Sequence, residues 1–409
     1  MKIALDYTTG IYPGAGVARY TRSLVGALAE LDHENQYSLF YAARNLPRPT
    51  PETEQADMLF ARHPNFRPVG IPLSVRQMFA VWQRLRLPLP VDLFTGPCDV
   101  MHSPDFVSPP HRSGADVITV HDMSFMVVPE HAEPKLAAFL SKTVPAAVRR
   151  ADRVIAVSEQ TKRDVIRLMA VPEEKVVVAY NGVDARFRPP GTAATEEEIE
   201  SLRAKLGLPQ HFILHVGTLE PRKNLKRLVD AYGLLVSRGR GGRWSVVGGR
   251  LASPGNTIDH YGETVALVLA GRKGWLFEPI LSAAERVNSA GGKVIFLDYV
   301  YDNHLPLLYN MADAFAYPSL YEGFGLPAAE ALACGVPTVV SNDGALSEVV
   351  GDAAIKVDAR SVESIANGLE SALYDDILRG KLRAEGPSRV ARFTWEAAAR
   401  TMLDVYTSL

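Results

Sequence analysis

Short apolar runs rich in Val, Ile and Leu recur along the chain, each followed by a stretch whose apolar residues fall three to four apart. Strand-length runs that alternate with helix-period stretches admit few folds. A strand that is apolar on both sides needs cover on both faces, so the pattern reads as an α/β chain of parallel sheets with helices on either side. In the first half the expected strands are KIALDY from Lys2, YSLFYA from Tyr37, DVMHS from Asp99, DVITVHD from Asp116, RVIAVS from Arg153 and KVVVAY from Lys175. Most end in small or polar residues, where open α/β sheets place their chemistry. A helix after the first strand follows from Val17, Tyr20, Leu24, Leu28 and Leu31.

Between Phe187 and Leu208 the pattern breaks into RPPGTAATEEEIE, which reads as a linker ending in an acidic helix start. A second alternation follows, with strands expected in HFILHVG from His211, WSVVGG from Trp244, TVALVLAG from Thr264, KVIFL from Lys293, AFAYP from Ala314, PTVVS from Pro337 and AIKVD from Ala354. Helices are expected over 224–236, 278–289 and 326–333. The 409 residues thus divide into two doubly wound halves, 1–190 and 209–392, joined by a linker at 191–208 and expected to enclose a cleft. The Gly/Arg-rich stretch 237–263 reads as a surface loop.

Charge and cysteine content narrow the function. Lys plus Arg (44) nearly balance Asp plus Glu (46), so no broad basic face for nucleic acid is expected and any anion site is local. Cys98 and Cys334 are far apart and without a ligand cluster, so buried thiols are expected rather than a disulfide or a metal site. No apolar stretch is long enough to span a bilayer and Met1 to Asp6 lacks signal-peptide features, so a cytoplasmic protein is expected.

The most informative stretch is YPSLYEGFGLPAAEALACGVPTVVSND from Tyr317. A strand runs into the loop Gly323-Phe324-Gly325, and Leu326-Pro327 opens a helix whose first amides and dipole suit a phosphate. Glu322 precedes this cradle and Glu330 lies about one turn inside the helix. Two carboxylates would repel a phosphate unless they bind something else, and vicinal sugar hydroxyls fit, so the expected ligand is a nucleotide sugar. Arg222 and Lys223, between a strand ending at Gly217 and the next helix, are placed to stabilise a departing diphosphate. In the first half, Gly14 and Gly16 sit at a strand-to-helix turn and His121-Asp122 ends a strand; Ser158 and Asn181 to Asp184 end others. The segment VRQMFAVWQRLRL from Val75 is amphipathic, with Arg76, Arg84 and Arg86 beside Phe79 and Trp82. A solvated face over a packed one is expected there, with contact to an anionic membrane as the alternative.

EGFGLPAAE, with glutamates at 322 and 330, resembles the signature of the retaining GT-B glycosyltransferases of family 4. HVGTLEPRKNL, NGVD and ADAFAYPSLYEGFG resemble its other blocks in order, and the likeness runs from ALDYTTG to FTWEAAARTMLDVY. The resemblance implies two Rossmann-like domains facing a deep cleft, with 393–409 a helix crossing back to the first domain. By it, Glu322 contacts the donor sugar, Glu330 the ribose hydroxyls, and Gly323, Phe324, Gly325 and Leu326 the pyrophosphate and sugar. Gly14 and Gly16 close over the donor phosphate, and His121 touches the donor sugar near the acceptor. Many family members carry Gly-Arg where this chain has Gly217-Thr218, so Arg222 would supply that charge from another backbone position.

The resemblance further implies retention of anomeric configuration by same-face attack. The absence of any Asp-x-Asp agrees with metal independence, with no cofactor beyond the donor. GTLEPRKNL with RKGWLFEPI resembles bacterial mannosyltransferases of surface polysaccharides, so GDP-mannose is the favoured donor, a UDP-sugar the alternative, and the acceptor a glycan or lipid-linked saccharide. A nucleotide-sugar epimerase, a glycosyl phosphorylase or hydrolase, and a non-catalytic nucleotide-sugar-binding subunit are the rival functions.

Overall fold

The computed structural model describes residues 1–14, 16–85, 87–190, 195–239, 245–247, 250–252 and 265–409. Chain contacts divide it into two units: Met1–Val127, Pro134–Gly182 and Phe393–Leu409 form the first, and Val128–Glu133 with Val183–Arg392 the second. Of the stretch expected as a linker, 191–194 lie outside the described residues and Glu196–Leu206 is a helix, closed at its start by a Thr195–Glu198 capping box.

The first unit holds seven parallel strands: β1 (Lys2–Asp6), β2 (Gln36–Ala42), β3 (Phe66–Ile71), β4 (Val100–Ser103), β5 (Ala115–Val120), β6 (Arg153–Ala156) and β7 (Val176–Val178). Their order is β3-β2-β1-β4-β5-β6-β7. The direction of winding therefore reverses between β1 and β4, the crevice where doubly wound sheets bind ligands. The amphipathic helix Val17–Leu31 buries Tyr20, Leu24, Val25 and Leu28 against this sheet. The last helix, Trp395–Thr407, belongs to the same unit: Tyr406 Oη meets Nδ1 of buried His102 on β4 at 2.6 Å, and Trp395 lies edge-on to Tyr20.

In the second unit β8 (Phe212–Val216) is followed by an antiparallel pair, β9 (Ser245–Val247) with β10 (Arg250–Ala252). Next come β11 (Ala266–Ala270), β12 (Val294–Leu297), β13 (Ala314–Tyr317), β14 (Thr338–Ser341) and β15 (Ile355–Val357). The parallel sheet runs β12-β11-β8-β13-β14-β15, so its reversal falls between β8 and β13. The run WSVVGG was expected as a strand of this sheet; among the described residues β9 instead pairs with β10, in a two-stranded sheet apart from the parallel one. Of the expected surface loop 237–263, residues 240–244, 248–249 and 253–263 lie outside the described residues. Helices Leu225–Gly239, Glu278–Ser289 and Val362–Tyr374 cover the sheet over a core of Leu228, Val229, Tyr232, Leu267, Leu269 and Leu369. No helix of the described residues is long and apolar enough to cross a membrane.

Candidate active site

The loops that leave β8 and β13 meet at this reversal point. After β8, a short 3-10 turn Pro221–Lys223 ends at Asn224, which adopts the left-handed region at φ 61°. Asn224 is buried, and its Nδ2 donates to Pro318 O at 3.0 Å and to Ala359 O at 2.6 Å, tying the loop to the ends of β13 and β15. After β13, the chain passes through Pro318 to Glu322 and reaches Gly325 at φ 90°, which caps the helix Leu326–Ala333. In the first turn of that helix Pro327 has no amide hydrogen and the Ala328 amide donates to Gly325 O at 3.0 Å, so the amides that precede Pro327 are the ones available to an anion.

Four charged side chains converge here, all nearly buried. Lys223 Nζ lies 2.7 Å from Glu322 Oε1 and also bonds the Tyr317 hydroxyl. Arg222 Nη1 lies 3.0 Å from Glu322 Oε2, and its Nη2 lies 2.6 Å from Glu220 Oε1. Burial opposes ionisation of Glu322, but Arg222 and Lys223 outweigh it and hold the carboxyl down at about 2. The Lys223 ammonium moves the other way: burial lowers its pKa, and Glu322 works against that shift. Burial together with the Glu322 charge raises the Tyr317 phenol well above its usual range, so it stays a neutral donor and acceptor.

Beneath the ion cluster, His215 on β8 stacks on Tyr317 with ring centroids 5.3 Å apart. Its Nδ1 donates to Ala316 O at 2.9 Å, which leaves Nε2 as the acceptor nitrogen, and this buried Nε2 has no hydrogen-bond partner. Burial pulls the His215 pKa down to about 4, so the ring is neutral. Glu330 is 1% exposed and its Oε2 accepts from Tyr309 at 3.0 Å. Phe324 is buried and Thr218 half-buried, its methyl within reach of Gly274. Glu322, Lys223, Arg222, Gly323, Phe324 and Gly325 are thus brought together in one unit, as the sequence motifs lead one to expect. Glu220, Tyr317, His215 and Asn224 belong to the same cluster but were not singled out from sequence, although HVGTLEPRKN and AYPSLYEGFG contain them all.

The first unit carries its own group at the β1/β4 reversal. Gly16, at φ 55°, caps the helix Val17–Leu31; Ala15 lies outside the described residues. Buried Arg22 donates to Gly14 O at 3.2 Å and to Gly10 O at 3.4 Å, which pins this turn. His121 Nε2 donates to Pro104 O at 2.7 Å, and its ring lies edge-on to Tyr20; burial lowers its pKa, so the imidazole is neutral. Burial and the Asp6 charge raise the Asp105 carboxyl to about 6. Among the described residues no three His, Cys, Asp or Glu side chains form a metal-ligand group. Cys98 and Cys334 are free and buried.

Residues 14–187 match the family described as Glycosyltransferase Family 4, and residues 198–389 match Glycosyl transferases group 1. Over its full length the chain is 30% identical to the O-antigen chain mannosyltransferase B of Escherichia coli, covering 100% of both. It is also 30% identical over 72% of its length to the serotype-specific mannosyltransferase WbdA of Escherichia coli, of which it covers 33%. Among solved structures, sucrose-phosphate synthase from Thermosynechococcus elongatus superposes with a TM-score of 0.72 at 20% identity, over 100% of this chain and 98% of that one. WaaG, a glycosyltransferase involved in lipopolysaccharide biosynthesis, gives 0.68 at 15% identity over 100% of both. The chain therefore belongs to glycosyltransferase family 4 and has the GT-B fold, and it is a hexosyltransferase.

Proposed function

We propose that this glycosyltransferase moves mannose from GDP-mannose to a hydroxyl of a glycan or lipid-linked acceptor, with retention and without a metal ion, in the synthesis of a surface polysaccharide. The observation that carries the reading is the Glu322–Lys223–Arg222 cluster beside a helix N-terminus at the β8/β13 reversal. It offers cations to a diphosphate and a carboxylate to sugar hydroxyls in one place. The full-length likeness to an O-antigen chain mannosyltransferase supports mannose as the sugar.

In this reading Glu322 accepts hydrogen bonds from the donor sugar, and the diphosphate leaves beside the Lys223–Arg222 pair. The amides of Gly323, Phe324, Gly325 and Leu326 hold the pyrophosphate, with Thr218 beside it, and Glu330 takes the ribose hydroxyls. From the first unit, Gly14 and Gly16 bind phosphate and His121 orients the sugar. The C–O bond to the leaving phosphate breaks as the acceptor oxygen attacks on the same face, and the acceptor proton passes to the leaving phosphate. Stabilising the charge that gathers on that phosphate is the protein's main task, and one preorganised donor is worth roughly 2.7–4 kcal/mol.

The protein is cytoplasmic in this reading and touches the membrane peripherally. Around 75–87, Met78 and Trp82 pack inward while Val75, Phe79, Leu85 and Leu87 are exposed beside exposed Arg76 and Arg84. Arg86 lies outside the described residues.

The test is a panel of GDP-mannose, UDP-glucose, UDP-N-acetylglucosamine and UDP-galactose, scored first by protection against thermal unfolding and then by transfer to acceptor. GDP-mannose is expected to protect most, to yield an α-linked product and to do so in EDTA. Protection by a UDP-sugar alone overturns the donor; conversion of donor without acceptor points to an epimerase or hydrolase instead.

A further inference from the structure

The two cations beside Glu322 are held in different ways. Arg222 uses both terminal nitrogens: Nη2 on Glu220 at 2.6 Å, and Nη1 on the Tyr321 carbonyl at 2.8 Å and on Glu322 at 3.0 Å. Its own carbonyl accepts from the Leu320 amide at 2.9 Å. One residue of the β8 loop thus grips three consecutive residues of the β13 loop, Leu320 to Glu322. Glu220 is 4% exposed, and it sits on a backbone fixed by Leu219, whose amide donates to Arg272 O at 2.9 Å and whose carbonyl accepts from Gly274 at 3.1 Å. Lys223 makes its contacts through one nitrogen at the end of a flexible stem, to Glu322 and the Tyr317 hydroxyl, over the Tyr317 ring at 4.7 Å.

We infer that Arg222 is a positioning residue, clamped by Glu220, that fixes the Glu322 carboxylate for the donor sugar, and that Lys223 is the cation of this pair that binds the diphosphate. The inference rests on the nucleotide-sugar reading of the site. Moving Arg222 onto a phosphate would strip a buried carboxylate, Glu220, of its guanidinium, and an uncompensated buried charge is strongly unfavourable. Moving Lys223 leaves no carboxylate without a cation, because Glu322 keeps Arg222 and gains sugar hydroxyls in exchange for the ammonium; only the Tyr317 hydroxyl loses a donor. Before donor binds, two cations face two carboxylates; once Lys223 turns to phosphate, Arg222 alone bridges Glu220 and Glu322. Arg222 therefore does not replace the arginine that Thr218 lacks. It keeps Glu322 ionised and aimed when Lys223 leaves it. A planar guanidinium holds two carboxylates in a fixed fork, whereas an ammonium is a point charge on a flexible stem and fixes neither.

The experiment titrates GDP and UDP into the full-length protein by calorimetry and measures donor kinetics in parallel. Lys223→Ala is expected to weaken nucleoside diphosphate binding at least about tenfold, the loss of one charge-assisted contact. Arg222→Met alone leaves Glu220 unpaired and can fail to fold, so the double variant Glu220→Gln/Arg222→Met, which removes both charges, is measured beside it. The double variant is expected to bind nucleoside diphosphate within about threefold of wild type, while kcat falls at least about 30-fold with donor KM little changed. Its kcat is also expected to gain an acid limb displaced to higher pH than in wild type as Glu322 loses a cation, which a merely structural role would not produce. Arg222→Lys does not rescue kcat. Loss of nucleoside diphosphate binding in the double variant equal to that of Lys223→Ala overturns the inference and makes Arg222 an anion ligand. A wild-type protein that binds neither GDP nor UDP overturns instead the nucleotide-sugar reading beneath it.

Discussion

Gly325 sits in a backbone conformation that glycine adopts without strain and L side chains do not. Its φ of 90° lies where L side chains are strained, and a Cβ built there would stand 2.3 Å from Leu346 Cδ2. The side-chain clash is soft, because a leucine methyl can rotate away; the backbone strain is not, and costs about 1–3 kcal/mol. Gly325→Ala is therefore expected to leave a folded protein with a modestly lower thermal midpoint and transfer activity reduced at least about 100-fold, since the amides after it lose their aim. Adding Leu346→Ala is expected to restore the midpoint in part and activity not at all; full recovery of activity would assign the defect to the clash. At this scale the motif residues were legible because glycine, proline and paired carboxylates carry their reasons locally. The partners were not. Asn224 reaches Ala359 across 135 positions and Lys223 reaches Tyr317 across 94, and only the order of strands brings such residues together.

Among the elements, the strands expected from apolar runs recur within one or two residues, except where local chemistry hides them. β3, FRPVGI, contains Pro68 and Gly70, both poor strand formers, and it forms an edge on the strength of its pairing with β2. WSVVGG misled in the opposite sense, having strand composition but a place outside the main sheet. The amphipathic segment 75–87 divides between a short α-helix, Val75–Phe79, and a π-turn, Ala80–Arg84, which lets Trp82 pack inward and donate to Leu89 O at 2.9 Å. Each arginine near an anionic surface contributes about 1 kcal/mol, so Arg76 and Arg84 alone bind weakly and the exposed Phe79 and Leu85 have to insert. Sedimentation with phosphatidylglycerol vesicles is expected at low salt and not with phosphatidylcholine vesicles, and Phe79→Ser/Leu85→Ser is expected to abolish it. Equal binding of that variant would remove this surface from consideration.

Across the whole molecule, buried histidines set the response to acid. Burial lowers His102 to about 3 and His215 to about 4. Both fall below the unfolded value near 6.5, so the unfolded chain binds more protons between these limits and stability is lost as pH falls through that window. Asp105, raised to about 6 by burial and Asp6, and Asp6 itself, also raised by burial, act in the opposite direction, while buried His121, lowered like the other two rings, adds to the acid loss. The thermal midpoint is expected to fall from pH 7 to pH 5, and His102→Gln is expected to flatten that slope; a wild-type midpoint unchanged over this range would contradict the burial of both rings. The two-unit, doubly wound plan was legible from the alternation alone. The return of 393–409 to the first unit came through family resemblance, because a single helix pattern does not say which sheet it will cover.

The strand order has one more outcome, for the chain while it is being made. Every open border of the two sheets is blunted: β7 and β15 have three residues each, β12 has four, and β3, the longest, has at Pro68 a residue with no amide hydrogen to offer. A second molecule that tried to add its own strand to β3 would find the row of donors broken halfway along. The proline that obscures this strand in the sequence is therefore what discourages neighbouring copies from joining edge to edge in a crowded cell.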